Sequence, residues 1–192
     1  MKKFYLLVPL FFISYILFAE NTPYVITSKN DTIKCAKVKG VFLGKGIKYK
    51  VKSSDDFKTA NMDSVKEYML SGDSLPYRSV TLEKESQPLF LRVIENGKIC
   101  LYEAITYSYG AYGATTITTR WYASKNNAPA FFLKTTALNI FEKNQDTRKK
   151  LFSDMISDDP SVLAMFKADD SFSFKSLRKY VHEYNRTAPP GK

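Results

Sequence analysis

Leu89-Phe90-Leu91-Arg92-Val93-Ile94-Glu95-Asn96-Gly97-Lys98-Ile99-Cys100-Leu101-Tyr102-Glu103-Ala104 decides the fold class. Two runs rich in β-branched, aliphatic and aromatic residues flank an Asn-Gly pair, the favoured centre of a two-residue type I′ turn. A tight turn there sets Glu95 opposite Lys98, Ile94 opposite Ile99 and Val93 opposite Cys100. One face of the hairpin then carries Leu89, Leu91, Val93, Cys100, Tyr102 and Ala104. The other carries Phe90, Arg92, Ile94, Ile99, Leu101 and Glu103, a mixed set. Cys100 reads as a small buried hydrophobe on the cleaner face.

Working outward, Ile47-Lys48-Tyr49-Lys50-Val51-Lys52 alternates apolar residues with lysines, so one face is buried and the other is a row of ammonium groups. That strand suits a sheet edge protected by lysine. Tyr24–Thr27 and Thr32–Phe42 read as extended, joined by a turn at Lys29-Asn30-Asp31. Their alternation slips between Cys35 and Ala36, which suggests a bulge. Around Val65–Leu70 a strand and a helical turn are both admissible. A second hairpin joins Arg120–Ser124 to Ala130–Lys134 around Asn126-Asn127. Between the hairpins, Tyr107-Ser108-Tyr109-Gly110-Ala111-Tyr112-Gly113 reads as an exposed, adaptable loop.

The C-terminal part changes period. Leu151, Phe152, Met155 and Ile156 share a helical face. Asp159 before Pro160 is an N-cap followed by proline at the first helical position. A last helix runs from about Phe174 to Tyr184 with Phe174, Leu177, Val181 and Tyr184 as its apolar stripe, Ser173 as its cap, and Phe172 and Leu177 as a hydrophobic staple. The fold class is therefore α+β: a mostly antiparallel sheet or partly open barrel over residues 23–134, followed by two or three C-terminal helices.

Residues 1–19 read as a signal peptide. Lys2 and Lys3 precede an uncharged apolar stretch from Phe4 to Phe18, and the chain turns polar after Ala19. The stretch is short for a membrane span. Leu17 stands where a small residue is usual, so a retained N-terminal anchor is the alternative to cleavage after Ala19. Residues 20–186 form one domain and 187–192 a frayed tail. No other segment approaches spanning length, so no integral membrane span remains after signal removal.

The chain has 29 Lys+Arg against 19 Asp+Glu, a net charge of +10. Loss of Lys2 and Lys3 lowers it to +8. In the cytoplasm such a balance would suggest nucleic acid. Export points away from nucleic acid, towards an envelope protein or an anionic glycan.

Catalytic signatures are sparse. His182 is the sole histidine, which excludes a histidine-based zinc cluster, and it lies off the apolar stripe of its helix. No metal site, phosphate loop, dinucleotide fingerprint or serine-hydrolase elbow is present, and no cofactor is implied. The pairs Asp55-Asp56, Asp158-Asp159 and Asp169-Asp170 suit loops and caps; acid–base use of loop carboxylates, as in an exported hydrolase, is the alternative function. Three features remain as binding or modification candidates. Lys48, Lys50 and Lys52 place ammonium groups along one strand face, and Tyr107, Tyr109 and Tyr112 offer aromatic contact area. Cys35 and Cys100 admit one disulfide in an oxidising compartment.

The residues Tyr24 to Lys34, the run Phe90 to Tyr102, and the ending with an Asp-Pro helix start and Tyr180-Val181-His182-Glu183-Tyr184-Asn185 together resemble small exported envelope proteins of Bacteroidetes-type bacteria. The resemblance implies a periplasmic or surface location and no catalytic residues. The triplets Asp31-Thr32-Ile33, Asp63-Ser64-Val65 and Asp73-Ser74-Leu75 are similar to the O-glycosylation acceptors of such proteins, at Thr32, Ser64 and Ser74. The function expected is that of a non-catalytic binding or structural module.

Overall fold

The computed structural model describes residues 22–40, 46–110, 113–137, 145–169 and 171–187. The segment read as a signal peptide, Tyr112, Asp170 and the tail from 188 lie outside the described residues.

Among the described residues, eleven strands precede three helices. They are β1 (Tyr24–Thr27), β2 (Thr32–Lys34), β3 (Lys37–Gly40), β4 (Gly46–Lys50), β5 (Lys58–Asn61), β6 (Val65–Met69), β7 (Tyr77–Val80), β8 (Leu89–Glu95), β9 (Ile99–Tyr109), β10 (Thr115–Lys125) and β11 (Phe131–Thr135), then α1 (Gln145–Met155), α2 (Pro160–Ala168) and α3 (Phe174–Thr187). Eight strands form one sheet in the order β11-β10-β9-β8-β7-β6-β1-β2, and β3-β4-β5 form a second. The pairing is antiparallel throughout, and the architecture is α+β, as the change of period predicts.

The large sheet is not closed into a barrel, but it curls. One isolated parallel bridge joins Leu82, just past β7, to Ala130, just before β11. Glu83 donates its N–H to the Ala130 carbonyl, and Ala130 donates to the Thr81 carbonyl. Strands four ranks apart therefore meet at one point. Inside the curl pack Val80, Leu82, Leu91, Val93, Cys100, Tyr102 and Ala130. The three helices cover the outside of the curl, where Ile94, Ile99, Leu101, Trp121, Ala123, Phe131 and Leu133 meet Phe152, Phe166, Leu177, Tyr180, Val181 and Tyr184. Both faces of the β8–β9 hairpin are thus buried. A third cluster, Val25, Cys35, Val38, Ile47, Val65 and Tyr68, lies between the two sheets.

Several expectations are corrected. The β8–β9 hairpin does not have a two-residue turn: Val93 pairs with Tyr102, not Cys100, and a bulge at Ile94 brings Glu95 opposite Leu101. Neither Asn96 nor Gly97 has positive φ, so this is not a type I′ turn, which needs it at both positions. The cause is α3. The Asn185 carboxamide accepts the Ile99 N–H at 2.9 Å and donates to the Ile99 carbonyl at 2.7 Å. Gly97 is needed because a Cβ there would fall on the Asn185 carboxamide.

The break between Cys35 and Ala36 is no bulge but the point where the chain leaves the large sheet for the small one, between β2 and β3. Val65–Met69 is a strand entered from one 3-10 turn at Met62–Ser64. Strand β7 has no counterpart in the sequence reading. The helical caps are as expected: Asp159 accepts the N–H groups of Ser161 and Val162, and Ser173 accepts that of Ser176. Thr187, expected to begin the tail, instead ends α3, and its hydroxyl donates to Asp159 at 2.6 Å. Leu151 is exposed, while Phe152 and Ile156 are fully buried.

Candidate functional site: a lysine platform and a neutral arm

The three-stranded sheet turns Val38, Ile47 and Tyr49 towards the inter-sheet core. Period two then sends Lys37, Lys39, Lys48 and Lys50 to its other face. The register sets Lys39 directly opposite Lys48 and Lys37 directly opposite Lys50. Directly opposed residues stand about 5 Å apart at Cβ, and like charges in that position are destabilising. Among the described residues, no carboxylate forms an ion pair with any of the four. Phe57, itself 40 % exposed, lies beside them, with Lys39 Nζ 5.0 Å and Lys50 Nζ 5.5 Å from its ring centroid. The face is a platform of paired ammonium groups around one aromatic ring.

This changes the lysine row expected from sequence. Strand β4 is the central strand of its sheet, not an edge. It ends at Lys50, so Lys52 is not on the platform; its N–H donates to Asp55 Oδ2 in the following turn. Lys37 and Lys39 replace it, from a neighbouring strand. Their Lys-Val-Lys spacing carries the same alternation, and only the pairing of β3 with β4 could have joined the two sets.

Tyr107 and Tyr109 belong to no loop. Strands β9 and β10 continue beyond the rest of the sheet as a two-stranded arm, with Tyr107 opposite Ile117 and Ile105 opposite Thr119. One face of the arm carries Ile105, Tyr107, Tyr109 and Ile117, which are 42–81 % exposed. No charged residue occurs between Glu103 and Arg120. The arm is therefore a neutral aromatic and aliphatic surface on a cationic chain.

Thr32, Ser64 and Ser74 are all exposed, and Ser64 Oγ donates to the Asn61 carbonyl at 2.7 Å. Cys35 and Cys100 are buried free thiols in separate clusters. Cys35 bonds locally to the Ile33 carbonyl and Cys100 to Asn96 and the Gly97 carbonyl. His182 is exposed on α3, with Nδ1 3.5 Å from Glu95 Oε2.

Asp158, Asp159 and Asp169 are engaged as structural acceptors. Asp158 receives Lys125, Lys98 and the Tyr184 hydroxyl at 2.7–3.0 Å. Its partial burial would raise its pKa, but these hydrogen bonds outweigh burial and hold it well below the usual carboxylate range. The Thr187 hydroxyl and the Val162 N–H hold Asp159 down, and the Tyr180 hydroxyl does the same for Asp169. Burial and the Asp169 carboxylate in turn push Tyr180 up to about 12. Carboxyl groups held in the anionic form this firmly are poor general acids. Among the described residues no three His, Cys, Asp or Glu gather as a metal site, and no helix is long and apolar enough to cross a membrane. Comparison with known protein families, curated proteins and solved structures returns no match.

Proposed function

We propose that this protein is an exported, non-catalytic binding module of the cell envelope, and that its lysine platform holds an anionic glycan. The observation that carries the reading is the pair of Lys–Lys cross-strand contacts, Lys39 with Lys48 and Lys37 with Lys50. Two ammonium groups about 7 Å apart repel by roughly 0.6 kcal/mol even in water. Among the described residues no carboxylate ion-pairs with these lysines, and an external polyanion would supply the neutralising charge. Phe57 adds an apolar face between the charges, against which a sugar ring can lie. The apolar stretch behind Lys2 and Lys3 supports export, and the neutral face bearing Tyr107 and Tyr109 adds uncharged contact area to the same partner.

The test is retention of the mature chain on immobilised polygalacturonate against neutral dextran, at low and high salt. Selective retention that weakens with salt and drops in the double variant Lys39→Thr, Lys48→Thr is expected. Equal retention on both matrices, or none on either, overturns the reading. N-terminal sequencing of the protein from fractionated cells checks export: a chain beginning at Met1 in the cytoplasm removes it.

A further inference from the structure

Where the large sheet curls over, strands β7, β9 and β10 leave a cleft of about 460 Å³. Its position at the mouth of a curled sheet is a common one for ligand sites, and its volume falls within their usual range. Two buried hydroxyls line it. Tyr102 and Ser124 are each 3 % exposed, yet Ser124 Oγ and Tyr102 Oη meet only at 3.5 Å, the outer limit of a hydrogen bond. Tyr102 also interacts with the weak thiol of Cys100, so among the described residues neither hydroxyl has a strong hydrogen-bond partner. A buried hydroxyl without a good partner costs free energy, which a ligand hydroxyl would recover.

Two cations wall the same cleft. Arg78 is bound by Glu67 through Nε at 2.7 Å, and its Nη1 reaches Asn96 at 3.0 Å. Lys66 is the residue at which the pairing of β1 with β6 skips, since Ile26 meets Glu67 and Thr27 meets Val65. A bulge of this kind re-aims one side chain out of the ladder. Among the described residues Lys66 Nζ donates to the neutral amide oxygen of Asn30, at 2.7 Å, and to no carboxylate. With Arg78 neutralised by Glu67, the wall keeps one net positive charge. Pro129 and Val80 add apolar surface. Two other clefts among the described residues lack this combination. That of about 480 Å³ beside Ser71 and Ser74 is lined by Asp73 and by no cation. That along α3 mixes Glu95 and Glu183 with its basic residues.

We propose that the cleft formed by Lys66, Arg78, Tyr102 and Ser124 binds one acidic sugar unit, a polyhydroxylated molecule carrying a single carboxylate. The carboxylate faces Lys66, ring hydroxyls bond Tyr102 and Ser124, and a C–H face lies on Pro129. The assignment rests on the anionic-glycan reading for its ligand class but on different residues for its geometry.

The test is a titration of the mature protein, followed by backbone amide NMR, with glucuronate, glucose and acetate in turn. Saturable shifts at Tyr102, Ser124 and Asn127 with glucuronate alone are expected. Ser124→Ala and Tyr102→Phe, both small changes in shape, should each weaken binding about tenfold, the equivalent of one hydrogen bond. Glucose or acetate reproducing the shifts overturns the assignment, as does the absence of saturable shifts with glucuronate. Retention on polygalacturonate without glucuronate binding removes the cleft proposal alone. Glucuronate binding without polymer retention removes the platform and leaves the cleft standing.

Discussion

Asn185 holds the β8–β9 turn in its observed register, and the contact can be measured. Ile99 is fully buried, and both its backbone polar groups bond the Asn185 carboxamide. Asn185→Ala leaves an N–H and a C=O without those partners. Each orphaned buried group costs about 1–3 kcal/mol, and water entering the vacated space recovers part of it. The expected loss is about 3 kcal/mol. Gly97→Ala puts a methyl group where the carboxamide sits and should cost about 1–3 kcal/mol as overpacking. In the Asn185→Ala background that space is empty, so Gly97→Ala should then cost close to nothing. The double-mutant cycle should thus show a coupling of about 1–3 kcal/mol, with the double variant more stable than additivity predicts. Trp121 is the sole tryptophan and packs edge-on against Phe174 of α3, with centroids 4.7 Å apart. Its fluorescence in urea unfolding therefore reports α3 docking directly. Additivity within about 0.5 kcal/mol would refute the clamp.

Acid should destabilise the protein through Asp158. Its folded pKa lies below its unfolded value, so its contribution is complete above about pH 4 and is lost as pH falls towards the folded pKa. Side-chain exposure of 45 % screens the interaction, so Asp158→Asn should cost only about 1 kcal/mol at neutral pH and should flatten the acid limb of the stability profile. A steeper limb in the variant would contradict this. Lys48→Thr should raise stability by a few tenths of a kcal/mol at low salt, an effect that shrinks with added salt, while lowering retention on polygalacturonate; a loss of stability would mean that the lysine packs favourably. Thiol titration of the native protein should find Cys35 and Cys100 unreactive, since they are 4 % and 5 % exposed, and both should react after denaturation. One or no reactive thiol in denaturant would show a bridge.

Much of the sheet was legible because side-chain faces have period two. The β8–β9 register was misread by two residues, and an even slip keeps every side chain on its face. Leu91, Val93, Cys100 and Tyr102 therefore share a core, and Ile94, Ile99 and Leu101 share the other, as the hairpin pattern predicts. The turn itself was not legible, because Asn185 decides it from another element. Strand β7 was missed because Tyr77-Arg78-Ser79-Val80 shows neither clean alternation nor an apolar run; its pairing partners on both sides make it a strand. The platform was half legible. Lys48 and Lys50 follow from local alternation, whereas Lys37 and Lys39 join them only through cross-strand register. The Tyr102–Ser124 cleft carried no signal, since two isolated hydroxyl residues mean nothing until the sheet curls.

The bond between Asn185 and Ile99 spans 86 positions of the chain. A polypeptide emerging N-terminus first can pair β8 with β9 early, but it cannot seal that turn or cover the outer sheet face until its last helix is free. Closing so long a loop is slow relative to local pairing. Until then Ile99, Leu101, Trp121 and Leu133 stay uncovered, and the chain remains extensible. For the export proposed above, which requires threading a narrow pore before folding, this order of events is an advantage: the latch is made by α3, which follows every strand it covers.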